Sequence, residues 1–497
     1  MGVIQKQSQS GTIYSYIGVI LGFITTGYLW PTVFSTDEIG LMRLLVSYAV
    51  LFSQFASFGV NSISVKLFPY FRTNDGKHHG FLGLTSLISL TGLLISVIIF
   101  ILLKSWIVDP EKENSQLLAS YYYYIVPLIF FTLFFNVFDT YYRVLYKAVV
   151  GIVYKEVVQR MLILTVVVLF LLEWTNFHQT VVLYCLALIT PTILLMISLI
   201  KDGNYSLKPD FGFITKELRN EMIGVGLFGI VASFSGVLAL NIDVIMVERL
   251  IDLKAAGVYT ITFFFASLIL IPLRTMGKIS SVVIAEAWKK NELKTIDDIY
   301  KKSSISLSVI GMLLFLGLWS NIDNIMQLIG DKYLPGKYVI LFLGIANLTE
   351  IALGVNAHII LNSKHYRFLS YFLVGYAALL ILTNLLFIPL YGIAGAALAS
   401  LISKVIFGFA KYFFLFRVYR LQPFDWNYLK LVTISVLVYL TSLWLPTASN
   451  YLVDIVFRGS FILASFTVLV YLTQISVDIN QRINALTVLI ISVFKKS

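Results

Sequence analysis

Arg274 and Lys278 stand one helical turn apart in an otherwise apolar run, directly after Pro272. A guanidinium presents paired donors that match phosphate oxygens, and a neighbouring ammonium adds a point charge. The chemistry this pair could do is therefore to hold an anion inside a greasy environment. Thr260, Ser267 and Ser281 fall on the same helical face as these two cations. A second stripe, Arg43, Ser47, Gln54, Ser57, Asn61 and Ser64, advances in steps of three, four and seven and so also makes one face. Polar faces on membrane helices turn toward protein or water, because lipid cannot satisfy them. Both stripes are expected to border a hydrated cleft. The plainer reading of each hydroxyl is helix-to-helix glue.

Other charged residues carry two readings each. Asp139, Arg143 and Lys147 recur at i, i+4 and i+8. They serve either as interfacial anchors with a local Asp139–Arg143 pair, or as a cytoplasmic docking point for an anion. Glu350 lies within an apolar run with His358 eight residues on, on roughly the same face. An intramembrane acid suggests ion coupling or a partner for a buried cation. Lys66 and Lys404 read as side chains snorkelling to the interface, with Lys404 a minor anion-site candidate. The run "YYYY" at 121–124 reads as an interfacial aromatic belt. In "NIDVIMVERLIDLKAAGVYT", Glu248, Arg249, Asp252 and Lys254 are expected in water on a short outer turn. Asp243 lies deeper, as a structural partner for a cation or as a coupling-ion ligand.

These residues need an unusual scaffold. The 497-residue chain is 58% hydrophobic and 13% charged, with mean hydropathy +0.86, against about 25% charged in soluble domains. Apolar stretches long enough to cross a roughly 30 Å hydrocarbon core recur from end to end. The fold class is an all-α integral membrane protein. Fourteen spans are expected, near 11–33, 40–62, 80–103, 120–142, 150–172, 178–200, 222–247, 256–281, 303–321, 336–361, 368–388, 391–415, 428–446 and 452–474. A short apolar run near 485–494 reads as an amphipathic cytoplasmic tail.

Alternate connections differ in positive charge. Lys66, Arg72 and Lys77, then Arg143, Lys147 and Lys155, then Lys201, Lys208, Lys216 and Arg219 open a series that continues through Lys289, Lys364 and Lys411. The intervening connections hold little beyond Lys104, Lys112, Arg249, Lys254, Lys332 and Lys337. The positive-inside rule makes the first set cytoplasmic and puts both termini inside. The net charge of +11 reports this topology, not nucleic-acid binding.

An internal repeat organises the spans. The turn after the first span reads "VFSTDEIGLMRLLVSYA" and the turn after the seventh reads "LIDLKAAGVYTITFFFA". Aligning Gly40 with Gly257 gives an offset of 217 residues, or six spans. Adding 217 to positions 43, 57, 61 and 64 lands on 260, 274, 278 and 281, so the two polar stripes occupy equivalent faces. The expected organisation is a six-helix lobe over 1–200, a linker over 201–221 and a second six-helix lobe over 222–417. Two further helices over 418–474 and a tail over 475–497 complete it. Substrate sites in such repeats lie at the repeat interface.

The stretches "NIDVIMVERLIDLKAAGVYT", "STDEIGLMRLLVSYA" and "IPLYGIAGAALASLIS" at 388–403 resemble the multidrug/oligosaccharidyl-lipid/polysaccharide exporter superfamily. Within it they resemble the polysaccharide (O-antigen-type) flippases. The resemblance covers nearly the whole chain at the level of span count and topology. It implies two six-helix lobes around a central cavity that opens alternately to either side. For the closest relatives it implies transfer of an undecaprenyl-pyrophosphate-linked oligosaccharide between leaflets of the bacterial cytoplasmic membrane. A pyrophosphate meets a large desolvation cost in hydrocarbon, so cations should line its path. The candidates are Arg274, Lys278, Arg43, Arg143, Lys147 and Lys404, with Gln54 and Asn61 as polar neighbours. Asp243, Glu350 and Asp139 are the candidates for coupling to H+ or Na+.

Two other function classes make different demands on the sequence. A cation-coupled multidrug exporter of the same fold should line its cavity with acids, which Arg274, Lys278 and Arg43 oppose. A membrane-embedded glycan polymerase or transferase should show clustered acids or histidines. The chain has five histidines and no Asp-x-Asp, HExxH or glycine-rich phosphate loop. No cofactor and no metal are expected. The single cysteine, Cys185, reads as a small buried hydrophobe. The expected partners are the lipid-linked oligosaccharide, the bilayer and polysaccharide polymerase or glycosyltransferases, with the chain itself a monomer.

Overall fold

The computed structural model describes residues 3–108 and 116–494, with side chains from residue 10 to 485 apart from Thr275, Lys278 and Ile279. Lys112 and the Lys278 side chain lie outside the described residues. All regular structure among the described residues is helical. Two compact units emerge, Met1–Ile261 and Thr262–Ser497.

The first unit opens with α1 (Val3–Gly22), which continues through a π-helical stretch, Phe23–Leu29. Next come α2 (Thr36–Ala56), α3 (Val60–Phe71), α4 (Phe81–Leu102) and α5 (Ile125–Val144). A composite helix α6 spans 149–171 with a π-helical centre, Val153–Val158, and is followed by α7 (Phe177–Lys201) and α8 (Lys216–Leu250). A reciprocal capping box starts α2: the Ser35 hydroxyl accepts from the Glu38 amide at 3.3 Å, and the Glu38 carboxylate accepts from the Ser35 amide at 2.8 Å. Asn176 and Gln179 start α7 in the same way. On α1, Gly18 and Gly22 leave room for the Glu156–Arg160 ion pair of α6, 2.9 Å between Nε and Oε2.

The second expected span is two helices. Phe58 and Gly59 adopt φ of 44° and 73°, which breaks α2 from α3. Gly59 is required here, because a Cβ would run into the Gly226 backbone of α8. The polar stripe from Arg43 to Ser64 is therefore divided between two helices and is not one continuous face.

The second unit contains α9 from residue 262 onward (the helix is Leu253–Ser267), a 3-10 turn Leu268–Leu270, and α10 (Ile271–Lys289). Pro272 stands in the first turn of α10, where its missing N–H costs nothing. There follow α11 (Leu293–Trp319), α12 (Lys337–Ala352), α13 (Asn356–Asn362) and α14 (Arg367–Tyr419). The last three are α15 (Trp426–Leu443), α16 (Tyr451–Thr473) and α17 (Val477–Phe494). The 53 residues of α14 are interrupted at Gly392, with φ 59° and ψ −140°, three residues after Pro389. Leu431, Val438, Ile462 and Phe466 of α15 and α16 pack on Ile305 and Val309 of α11, so the two extra helices belong to this unit's core.

Among the described residues, twelve helices are long and apolar enough to cross a membrane. Dividing α14 at Gly392 and counting α6 as a further crossing recovers the fourteen spans of the sequence reading. The aromatic run at 121–124 is only partly a belt: Tyr121 and Tyr122 are buried and Tyr123 is exposed. The Tyr122 hydroxyl donates to the Phe100 carbonyl.

Candidate functional site

Three charged constellations emerge, two in the first unit and one in the second. The first joins α2 to the end of α8. The Arg43 guanidinium donates to Asn241 Oδ1 at 3.3 Å, and Asn241 Nδ2 donates to the Val237 carbonyl at 2.9 Å. Asp243 is buried and accepts from the Tyr259 hydroxyl at 2.9 Å. Glu248 was expected in water on the outer turn; it is 4% exposed. The reason is that α8 continues to Leu250, so the turn shrinks to Ile251–Asp252 and Glu248 remains helical. Asp252 does behave as a turn residue, accepting from the Ala255 amide at 2.7 Å and capping α9. Gln54 bonds within its own turn, donating to Ser57 Oγ at 3.3 Å, and so braces the break before α3.

The second constellation links α3, α5 and α6. Thr140 Oγ1 donates to Asn61 Oδ1 at 3.1 Å, and Arg143 Nη2 donates to Thr140 Oγ1 at 2.7 Å. Arg143 Nε lies 3.1 Å from Asp139 Oδ2. Gly151 of α6 sits directly on the Asp139 carboxylate, where any Cβ would collide. The Lys155 ammonium lies 4.8 Å from the Phe135 ring centroid and within electrostatic range of Asp139. Lys147 does not join this group. The helix ends at Val144 and Tyr146 takes φ 60°, so the i+8 position leaves the helical face. Lys147 instead pairs with Asp202 at 2.7 Å, and Asp202 also accepts from the Tyr142 hydroxyl at 3.2 Å. Donation from the Lys147 ammonium holds the Asp202 carboxyl below its ordinary range.

The third constellation lies between α12 and α14. Lys404 Nζ donates to Asn347 Oδ1 at 2.7 Å and stands 3.1 Å from Glu350 Oε2. Asn347 Nδ2 in turn donates to the Ala266 carbonyl at 2.9 Å. Lys404 is therefore not snorkelling to a surface; an acid and an amide one turn apart on α12 draw it inward. Lys411, seven residues further along α14 and on the same face, is 5% exposed. Its ammonium lies 4.2 Å from the Phe407 ring centroid. Arg274, exposed in the first turn of α10, and Lys411 both lie within electrostatic range of Glu350. His358 does not share the Glu350 face, because Leu353–Val355 and the left-handed Gly354 separate α12 from α13. It packs against Gly277 of α10. One carboxylate here faces three cations. The Glu350 side chain is 41% exposed and that of Lys404 19% exposed, so the constellation is not sealed from its surroundings.

Sequence reasoning placed Lys411 among the cytoplasmic loop cations. Its seven-residue spacing from Lys404 inside "SKVIFGFAKYFF" was the signal that could have found it. Asn241 and Asn347 carried no such signal, since an asparagine within a span reads equally as glue. Cys185 is buried and free. No group of three or more His, Cys, Asp or Glu side chains that could hold a metal occurs among the described residues.

No curated protein matches the sequence. Among solved structures, the lipid II flippase MurJ in its inward closed conformation superposes with a TM-score of 0.73 at 14% identity, covering 93% of this chain and 98% of that one. An inward-facing multidrug resistance MATE family transporter of the MOP superfamily superposes with a TM-score of 0.60 at 12% identity, covering 83% and 96%. A MOP superfamily transporter from Pyrococcus furiosus, noted for the reversed polarity of its binding pocket, gives 0.53 at 13% identity, covering 83% and 95%. These likenesses establish the fold. The polysaccharide biosynthesis protein family matches residues 7–284. That match spans more than half of the sequence, and this multi-pass membrane chain belongs to the polysaccharide biosynthesis protein family.

Proposed function

We propose that this protein is a flippase for an undecaprenyl-pyrophosphate-linked oligosaccharide. It carries the glycolipid from the inner to the outer leaflet of a bacterial cytoplasmic membrane by alternating access. The product feeds synthesis of O-antigen, capsule or exopolysaccharide. Both chain termini lie in the cytoplasm, following the positive-inside bias. Family membership and the fold shared with a lipid II flippase support this reading.

The observation that carries it is the cationic excess around Glu350. Lys404 is committed to Glu350 and Asn347, which leaves Lys411 and Arg274 to meet an incoming diphosphate. An arginine grips phosphate oxygens through paired donors, and a buried ammonium adds charge where water is scarce. Lys278 extends the same helix by one turn. The carrier lipid stays in hydrocarbon throughout, so only the polar head needs this path. Glu350, Asp243 and Asp139 are the groups through which H+ or Na+ would couple to transport.

The test is complementation of a deletion strain, with surface polysaccharide measured by lectin or antibody binding. Arg274→Ala and Lys411→Ala, expressed at the wild-type level, should each lower surface glycan at least tenfold. Full restoration by Arg274→Ala would remove the phosphate role assigned to it. Drug resistance on overexpression, with no glycan defect on deletion, would point to a multidrug exporter instead.

A further inference from the structure

The first unit contains an apolar groove of about 650 Å³ between α3, α4 and the start of α8. Its walls include Ile63, Leu84, Ile88, Ile223 and Leu227, with Ile223 and Leu227 strongly exposed. Phe211 and Ile214 of the 201–221 linker close one side. That side is anchored. The His79 ring stacks on Phe213 at 3.8 Å and 10°, and His79 Nδ1 lies 3.3 Å from Asp210 Oδ2. Phe213 also leans on Phe71 at 5.1 Å. Gly80 and Gly83 let the linker backbone at Leu207 and Lys208 approach closer than any side chain would allow. The groove is thus a built feature of the fold.

At one end of the groove stands Arg219, exposed in the first turn of α8. Its guanidinium makes no hydrogen bond or ion pair among the described residues. The nearby carboxylate of Glu221 is engaged by Lys66 at 3.2 Å. Lys208 and Lys216 flank the same end in sequence and are exposed. A greasy slot with an unengaged arginine at its mouth matches a molecule that is long and apolar with one anionic head. The groove offers no amide or aromatic–hydroxyl set for a sugar.

We infer that this groove holds one anionic glycerophospholipid, with an acyl chain along α4 and α8 and the phosphate on Arg219. The groove lies within the first unit and shares no residue with the constellation at Glu350. The basic residues at this end belong to the connections that the positive-inside rule puts in the cytoplasm, where the leaflet is anionic.

The test uses the purified full-length protein exposed to an equimolar mixture of phosphatidylglycerol and phosphatidylcholine, with retained lipids counted by native mass spectrometry. Wild type should keep phosphatidylglycerol in preference. Arg219→Gln should cut that preference about fivefold, corresponding to the roughly 1 kcal/mol of a basic residue at an anionic lipid surface. Arg219→Lys should retain it. Leu227→Trp fills the slot and should reduce retention of both lipids, whereas Leu227→Ala should not, which separates blocking from misfolding. An unchanged preference in Arg219→Gln, or unchanged retention in Leu227→Trp, would overturn the assignment. So would displacement of phosphatidylglycerol by equimolar undecaprenyl phosphate, which would make the groove a carrier-lipid site.

Discussion

Gly40 and Gly257 lie backbone against backbone. A Cβ on Gly40 would stand 3.2 Å from the Gly257 nitrogen and would run into the Leu253 carbonyl; one on Gly257 would run into the Thr36 carbonyl. The offset of 217 residues relates Thr36 to Leu253 as it relates Gly40 to Gly257. Each glycine therefore meets the carbonyl equivalent to the one that its counterpart meets. The contact is therefore reciprocal: each helix start presents a glycine to the backbone of the other, and neither position has room for a side chain.

Gly257→Ala should therefore destabilise the protein, because the obstacle is a rigid carbonyl and not a flexible side chain. Overpacking of this kind costs about 1–3 kcal/mol. Gly224→Ala is the control, since nothing lies within 4 Å of a Cβ there. Thermal unfolding in detergent should show a lower midpoint for the first variant and an unchanged or slightly higher one for the second. Equal midpoints would mean that the Thr36 backbone yields without cost.

Lys404→Met strands Glu350 and Asn347 without their shared donor. Removing one partner of a fully buried pair costs about 3–5 kcal/mol. The Glu350 side chain is 41% exposed, so water makes up part of that loss and about 1–3 kcal/mol is expected. The charge-exchanged double variant, Glu350→Lys with Lys404→Glu, should recover part of the midpoint. A double variant no better than the single would show that the pair's surroundings, not its mutual attraction, fix its geometry.

Much of this scaffold was legible because the bilayer allows few solutions. Apolar runs of the right length must be helices, because lipid offers the backbone no partners. The breaks were harder to see. Pro272 and Pro389 lack an N–H and stand beside the breaks at Leu268–Leu270 and Gly392, but the break at Phe58–Gly59 is packed on Gly226 of another helix, which no local pattern contains. The charged residues divided in the same way. Solvation left Glu350 either a coupling ion or a cationic partner, whereas which lysine answers it depends on how α14 lies against α12. Glu248 misled because a charge next to a turn normally belongs to water. Only the extra helical residues up to Leu250 turn it inward.

Acid should act on the Lys147–Asp202 link. The Asp202 carboxyl is held below its ordinary value of 3.8 by donation from the Lys147 ammonium. A depressed folded-state pKa means stability that is present above the unfolded value and is lost as pH falls through the folded one. At pH 7, Asp202→Asn should therefore unfold at a lower temperature than wild type. The gap should close as pH drops below about 4 and stay constant between pH 5 and 8. A gap that changed through pH 6 to 7 would implicate a histidine instead.

Asp454 and Arg458 form the most enclosed ion pair described, 3.4 Å apart and both buried. Asp454 also accepts from Asn324 at 2.6 Å and from the Ala448 amide at 3.0 Å. Arg458 donates to the Ser442 carbonyl at 2.6 Å. Together they tie the start of α16 to the end of α15 and to the short helix Ile322–Ile329. Arg458→Leu leaves a buried carboxylate without a counter-charge and should cost about 3–5 kcal/mol. Adding Asp454→Asn removes the stranded charge while an amide oxygen still accepts from Asn324 and Ala448. The double variant should therefore be more stable than Arg458→Leu alone, by thermal unfolding in the same detergent. A double variant that is additively worse would show that the carboxylate is stabilised chiefly by its neutral donors, with the arginine needed only for the Ser442 carbonyl.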